Sequence, residues 1–315
     1  MTIENENQFK STRDGFGAGL VEATKLDPKV VGVCADLSDS VRMLEFARKY
    51  PDRYFEVGVA EQNLIGVAVG LAQSGLVPFA ASYACFSLAN SWGVIRTSVC
   101  YSQANVKIVG GHTGLATGAD GATHQALEDM AIMRVLPHMT VIVPADGHQT
   151  YQATLEMAKH QGPVYLRTYK LDVPNITALH QPFVIGQADV LTEGSDVSLV
   201  ACGYMVHQSL AVAEKLAAQG ISTRVINMST IKPLDVKTLE QAFKKTRLVM
   251  TLEDHQVSGG LGSAVAEVAL EAGWQTRFKR IGVQDSFGES GKAEELYRKY
   301  RLDAEFITDT VLALL

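Results

Sequence analysis

The sequence has little of what marks a specialised class of protein. Only four residues are cysteine: Cys34, Cys85, Cys100 and Cys202. None stands in a C-x-x-C pair, so the usual zinc and thioredoxin-type signatures are missing. Four scattered thiols read as reduced cysteines of a cytoplasmic protein. The longest notable apolar run, residues 64–72, has nine residues, against about 20 for a bilayer-spanning helix. Residues 1–10 are polar and acidic and lack the apolar stretch of a secretory signal. Positive charge is not in excess: 28 Lys and Arg stand against 34 Asp and Glu, a net charge of −6. That balance argues against a general binder of nucleic acid or anionic membrane, while a local basic pocket stays open. No repeat at a fixed period and no low-complexity tract is found.

What is present is ordinary globular composition, 47% hydrophobic and 20% charged. At roughly 100–200 residues per domain, 315 residues suggest two domains, each with a real core. Short apolar runs at 30–34, 54–59, 77–81, 106–110, 140–143 and 164–167 read as strands. Helix-period segments lie between them at 62–73, 88–102, 127–136 and 147–160. Such alternation implies an α/β fold, a mostly parallel sheet flanked by helices. Residues 172–182, DVPNITALHQP, hold two prolines and little periodicity and read as a linker. A smaller α/β unit follows, with strands at 197–201, 222–227, 248–252 and 278–282 and helices at 206–218, 236–244 and 261–271. The expected domains are therefore 1–171 and 183–315.

In open α/β sheets ligands bind beyond the carboxyl ends of the strands, and four such loops are unusual. In Glu56-Val57-Gly58-Val59-Ala60-Glu61-Gln62-Asn63 a Glu opens a small-residue helix. Glu61 either caps that helix or is a buried carboxyl of raised pKa that shares a proton with a ligand nitrogen. Ser82-Tyr83-Ala84-Cys85-Phe86 places two aromatics three apart, as core packing or as flanks for a flat ring. The stretch 110–125, GGHTGLATGADGATHQ, is long, glycine-rich and nearly free of large apolar groups, and carries His112, Asp120 and His124. Packing does not explain such a loop. Glycine lets backbone approach a ligand, and histidine donates to anions or moves protons; metal ligation is an alternative without spacing to support it. Tyr165-Leu166-Arg167-Thr168-Tyr169 ends a strand in Arg, either ion-paired or a partner for phosphate. A fifth segment, Ser258-Gly259-Gly260-Leu261-Gly262, reads as structural, since a loose glycine cluster is no dinucleotide fingerprint.

Together the loops resemble the transketolase family. Val59-Ala60-Glu61-Gln62-Asn63-Leu64-Ile65-Gly66 is similar to the segment carrying its cofactor-activating glutamate, Asp120-Gly121-Ala122-Thr123-His124-Gln125 to its D-G-x-T-H-Q motif, and Pro144-Ala145-Asp146 to its P-A-D motif. The likeness runs from Ser11 to the C-terminus. It takes the form of the pyrimidine-binding and C-terminal domains of an enzyme split into two chains.

The resemblance implies thiamine diphosphate as cofactor, with Glu61 bonded to N1′ of the aminopyrimidine to favour its imino tautomer. It implies Phe86 stacked on that ring with Tyr83 beside it, and Asp36 close to cofactor and substrate. Asp120 and His124 would contact sugar oxygens near the reacting carbon, His124 also helping to move protons. Arg13, Ser40, His112 and Arg167 match the positions that bind the sugar phosphate. The implied reaction is transfer of a two-carbon ketol unit from a ketose phosphate to an aldose phosphate. The alternatives are a 1-deoxyxylulose-5-phosphate synthase-like subunit or a 2-oxo acid dehydrogenase β chain. The family's G-D-G motif for Mg²⁺ and diphosphate is missing; Gly118-Ala119-Asp120-Gly121 belongs to the sugar loop. A partner chain carrying the diphosphate and Mg²⁺ domain is therefore expected, in a heterotetramer of two copies of each chain. Asn90, Gly93 and Val94 depart from the family pattern and leave the interface detail open.

Overall fold

The computed structural model describes residues 9–315. The reading of residues 1–10 as a polar terminus thus lies, for its first eight, outside the described residues. Ser11 and Asp14 close a capping box that starts α1 (Thr12–Leu26), each side chain accepting the other's backbone N–H. There follow β1 (Val30–Cys34), α2 (Leu44–Lys49), β2 (Tyr54–Glu56), α3 (Glu61–Gln73), β3 (Val77–Tyr83), α4 (Ala84–Val94), β4 (Lys107–Gly111), α5 (Asp129–Arg134), β5 (Thr140–Ile142), α6 (Gly147–Lys159) and β6 (Val164–Arg167). The helix expected over 88–102 begins earlier, at Ala84, and passes into a π-helical stretch, Ile95–Tyr101.

The second half holds β7 (Asp189–Thr192), β8 (Val197–Ala201), α7 (Met205–Ala217), β9 (Thr223–Asn227), β10 (Thr230–Lys232), α8 (Val236–Lys245), β11 (Leu248–Gln256), α9 (Leu261–Glu271), β12 (Arg277–Val283), α10 (Ala293–Lys299) and α11 (Ala304–Leu314). No helix among the described residues is long and apolar enough to cross a membrane.

Two sheets result. The first has seven strands in the order β10-β5-β6-β4-β3-β1-β2, and the second has five in the order β12-β11-β8-β9-β7. Pairing is parallel except at one edge of each sheet, where β10 runs against β5 and β7 against β9. The expected α/β class, two mostly parallel sheets flanked by helices, is what the chain adopts. Strands β1, β4, β6 and β8 are buried along their whole length, which is why they read as mainly apolar runs, interrupted only by buried Lys107, Arg167 and Ser198. Each buried Val, Leu or Ile among them contributes roughly 1.5–3 kcal/mol.

One feature escaped the sequence reading. β10 follows β9 in the second half yet hydrogen-bonds to β5, so it forms the edge of the first sheet. No helix or strand lies between Arg167 and Asp189, and Asp146 pins that connection. Its carboxylate accepts the N–H groups of Ile176 and Thr177 at 2.8 Å each and the Thr177 hydroxyl at 2.7 Å. It also accepts the Gln149 N–H at 2.8 Å as the N-cap of α6. The P-A-D motif is thus a joint of the fold. The glycine cluster 258–262 is structural as well: Gly260 caps α9, and buried Glu253 accepts the Leu261 and Gly262 N–H groups at 2.7 and 2.8 Å.

Candidate functional site

The loops leaving the carboxyl ends of β1, β3, β4 and β6 converge, as the parallel register requires. At their centre is a group of four rings. Tyr83, the last residue of β3, stacks on Phe86 from the first turn of α4 with centroids 5.7 Å apart. His112, just past β4, stacks on the Tyr83 ring at 3.7 Å. His124 meets Phe86 and Tyr83 edge-on at 5.0 and 6.0 Å. So Tyr83, Phe86, His112 and His124, drawn from the segments that follow β3 and β4, form one cluster.

His112 is the most constrained member. Its φ of 55° lies in the left-handed region, an uncommon backbone state for a residue with a Cβ. It is 2% exposed, and its Nδ1 finds no hydrogen-bond partner. Burial first, then the charges of Arg13 and Lys170, push its pKa down to about 3. The imidazole is therefore neutral, one nitrogen donating and one accepting. A buried ring nitrogen left unpaired beside two cations is a place for a polar or anionic group.

Those cations come from separate elements. Arg13, in the first turn of α1, donates through Nη1 to the Ser40 backbone carbonyl at 3.1 Å, while its buried Nε is unpaired. Lys170 pairs with Asp120 at 3.1 Å. Arg13, bonded to Ser40, and Asp120, paired with Lys170, thus lie near His112, with His124 in the same ring cluster. Thr113 Oγ1 bonds the Thr168 carbonyl at 3.0 Å and the Gly114 N–H the Ala126 carbonyl at 2.8 Å. These bonds close the base of the loop that carries Asp120.

Arg167, at the end of β6, is held largely by protein groups. It is 3% exposed. Its Nε donates to Asp129 at 2.8 Å, and its Nη2 donates to the carbonyls of Ala126 and Asp254 at 3.2 and 2.8 Å. Burial opposes its charge, but Asp129 and Asp254 hold the guanidinium above its ordinary value. Its Nε and Nη2 are thus taken by protein acceptors, while its Nη1 donates to none of them. β6 ends at Arg167, so the cation in the loop beyond the strand is Lys170, which the sequence reading passed over. Position was the available signal: Lys170 stands three residues past the strand's carboxyl end, where ligand-facing residues belong.

The other end of the site is more open. Exposed Asp36 has a φ of 58°. Glu56, a second residue the reading missed, fixes its loop by accepting the Asp36 N–H at 2.7 Å and the Gly58 N–H at 3.0 Å. Glu61 is half-buried and is the first residue of α3, whose N-cap, Ala60, makes no side-chain bond. Glu61 is therefore not the cap; the helix dipole favours its carboxylate at this place. Gln62 ties the first turn of α3 to α4 by donating to the Asn90 carbonyl at 2.8 Å. Asn90 and Gly93 are exposed and Val94 is half-buried on that outer face.

A half-buried carboxylate at a helix start and a half-buried Phe86 suit a flat heterocycle with hydrogen-bonding nitrogens. Among the described residues no group of three or more His, Cys, Asp and Glu side chains is placed to hold a metal ion.

Comparison with known proteins adds to this geometry. The family described as "Transketolase, pyrimidine binding domain" matches residues 9–175, and "Transketolase, C-terminal domain" matches residues 186–307. A putative transketolase C-terminal section of Methanocaldococcus jannaschii is 42% identical over 307 residues, 96% of each chain. A 6-deoxy-6-sulfo-D-fructose transketolase subunit of Clostridium sp. is 39% identical over 94% of this chain and 91% of its own. A solved structure described as a split gene transketolase, an inactive beta4 tetramer, superposes with a TM-score of 0.90. It is 43% identical and covers 96% of this chain and 97% of its own.

Proposed function

The chain belongs to the transketolase family, and from that premise we propose that it is one subunit of a split enzyme that transfers a two-carbon ketol unit between sugar phosphates. The other subunit would supply the diphosphate and Mg²⁺ site, since no G-D-G motif stands in this sequence. Two copies of each chain complete the reading. Four free cysteines support a cytoplasmic setting for it, where pentose phosphates are available.

The observation that carries the reading is the assembly of Tyr83, Phe86, His112 and His124 into one ring cluster beside the cations Arg13 and Lys170. Thiamine diphosphate, when bound, supplies the nucleophilic carbon and the electron sink for transfer of the ketol unit. Glu61 would hold a proton at a pyrimidine nitrogen. Phe86, with Tyr83 behind it, would orient the ring, and Asp36 would face cofactor and substrate. His124, half-buried at the rim of the cluster, would pass a proton to or from a sugar oxygen. Asp120 would accept from a sugar hydroxyl. Arg13, Ser40, His112 and Arg167 would take the phosphate, with Lys170 as a further cation beside His112. The neutral His112 offers a donor without repelling the neighbouring cations.

The test is ketol transfer from xylulose 5-phosphate to ribose 5-phosphate with thiamine diphosphate and Mg²⁺. The chain would be assayed alone and mixed with the candidate partner subunit. Activity only in the mixture is the expected outcome. Activity of this chain alone would overturn the reading of a missing half-site. Turnover of pyruvate without turnover of sugar phosphates would move the protein to another thiamine-dependent reaction.

A further inference from the structure

The loop that carries Asp120 crosses from the first domain onto the second. Its middle is the 3₁₀ segment Leu115–Asp120. Leu115 and Ala116, at its start, are buried in the same hydrophobic cluster as Leu252, Leu296 and Tyr297. At that point buried Asp254, from β11, enters the loop. Its Oδ1 accepts the Leu115 N–H at 3.0 Å and its Oδ2 the Ala116 N–H at 3.5 Å. The Tyr297 hydroxyl, from α10, donates to Asp254 Oδ2 at 2.6 Å, and Arg167 holds the Asp254 carbonyl at 2.8 Å. Carboxylate and loop fit so closely that a Cβ on Gly114 would lie 2.0 Å from Asp254 Oδ2.

The far end of the segment is held independently. Ser290 Oγ donates to the Ala119 carbonyl at 2.6 Å. Gln125, the last residue of the D-G-A-T-H-Q stretch, donates through Nε2 to the Glu289 carbonyl at 2.9 Å and to the Gly118 carbonyl at 3.2 Å. Asp120 and His124 therefore sit between two attachments to the second domain. A charged acceptor on orphan N–H groups at the start of a turn is a strong form of hydrogen bond. It fixes where the turn begins, and so where Asp120 points at its end.

We infer that Asp254 is a positioning residue for the sugar site, and that the second domain, through Asp254 and Ser290, sets the geometry of the loop presenting Asp120 and His124. The inference rests on the ketol-transfer reading for its kinetic consequence but not for its structural one. Residues that hold a substrate contact in place act first on substrate binding, whereas α3, at the cofactor end of the site, makes none of the latch bonds.

The experiment compares the wild-type chain with Asp254→Asn, Tyr297→Phe and Ser290→Ala, each assembled with the partner subunit. In Asp254→Asn the KM for xylulose 5-phosphate and ribose 5-phosphate should rise about 10- to 100-fold, the effect of weakening hydrogen bonds to a charged group. Thiamine diphosphate affinity should stay within about twofold. Ser290→Ala and Tyr297→Phe should move KM in the same direction by less, and they carry the test should Asp254→Asn not fold. Hydrogen exchange of the isolated chain should show faster exchange at Leu115 and Ala116 and unchanged protection across α3. A lowered melting temperature with unaltered KM and unaltered exchange overturns the inference. So does an equal loss of cofactor and sugar affinity. Should the wild-type mixture show no ketol transfer, the exchange result still decides the latch, and the failure lies with the proposed reaction.

Discussion

The sugar loop and the outer face of α3 and α4 are built to opposite standards of completion. Residues 111–118 are buried, their polar backbone bonded to Thr168, Ala126 and Asp254, and their small apolar side chains packed into the second domain. Along α3 and α4, by contrast, Gly66, Gly70 and Gly93 face open space, with nothing within 4 Å of where a Cβ would stand. Val59 is 78% and Tyr101 88% exposed beside them. The first region is finished by intrachain bonds. The second has the small residues and free apolar side chains of a surface that another backbone can approach closely. One end of the proposed site is thus complete in this chain, and the other waits on a second one.

The sharpest way to break the comparison is at Glu61, the catalytic candidate on the unfinished side. Glu61→Gln should lower ketol transfer by the partnered enzyme by about 10²–10⁴-fold, the range of a lost general acid or base. Half-buried and outside any cap, the residue should cost the chain no more than the roughly 0.3–1 kcal/mol of its interaction with the helix dipole. Full activity in that variant would mean that the site does not extend to α3.

Next in size is a contrast between two cations three residues apart. Arg167→Met strands the carboxylate of Asp129, which is 1% exposed, and should destabilise the chain by about 3–5 kcal/mol in urea unfolding. Lys170→Met, at the surface, should change stability by less than about 0.5 kcal/mol. It should raise the KM for the sugar phosphate about tenfold. An unchanged KM in Lys170→Met would leave the phosphate to Arg13, His112 and Arg167.

The smallest effects compare glycines. Gly66→Ala and Gly70→Ala meet no atoms in this chain and should each stabilise it by roughly 0.5–1 kcal/mol through helix propensity. Both should weaken binding of the partner subunit in a titration, because a methyl group now stands on the face to be covered. Gly114→Ala should instead lower the melting temperature, since its φ of 70° and its contact with Asp254 leave no room for a Cβ. Undiminished partner affinity in the two α3 variants would show that this face stays bare.

Much of the fold is legible locally. β1, β6, β8 and α9 occupy the expected residues, because fully buried parallel strands are mainly apolar runs and α9 keeps helical periodicity between clear breakers. α1 was passed over although Ser11-Thr12-Arg13-Asp14 writes its capping box openly. β10 could not be read: three residues with a partner some ninety positions away carry no local signature. The same reason explains Arg167. The pattern gave the strand end correctly, but what neutralises a charge there is Asp129, 38 residues distant, and spacing along the chain does not encode that pairing. The ring cluster was legible as motifs; its assembly around a neutral His112 was not, since burial sets that charge state.

The strand exchange at β10 has a consequence for recombination. Thr230–Lys232 closes an edge of the first sheet that would otherwise expose the unpaired backbone of β5. A chimera joined in the linker, with a foreign C-terminal half, inherits this chain's β5 without its native seam. It stays soluble only if the donor half brings its own short strand, in matching register, to the same edge. The two family segments follow one another in sequence and are interlocked at this edge, so an exchange of halves has to respect the seam.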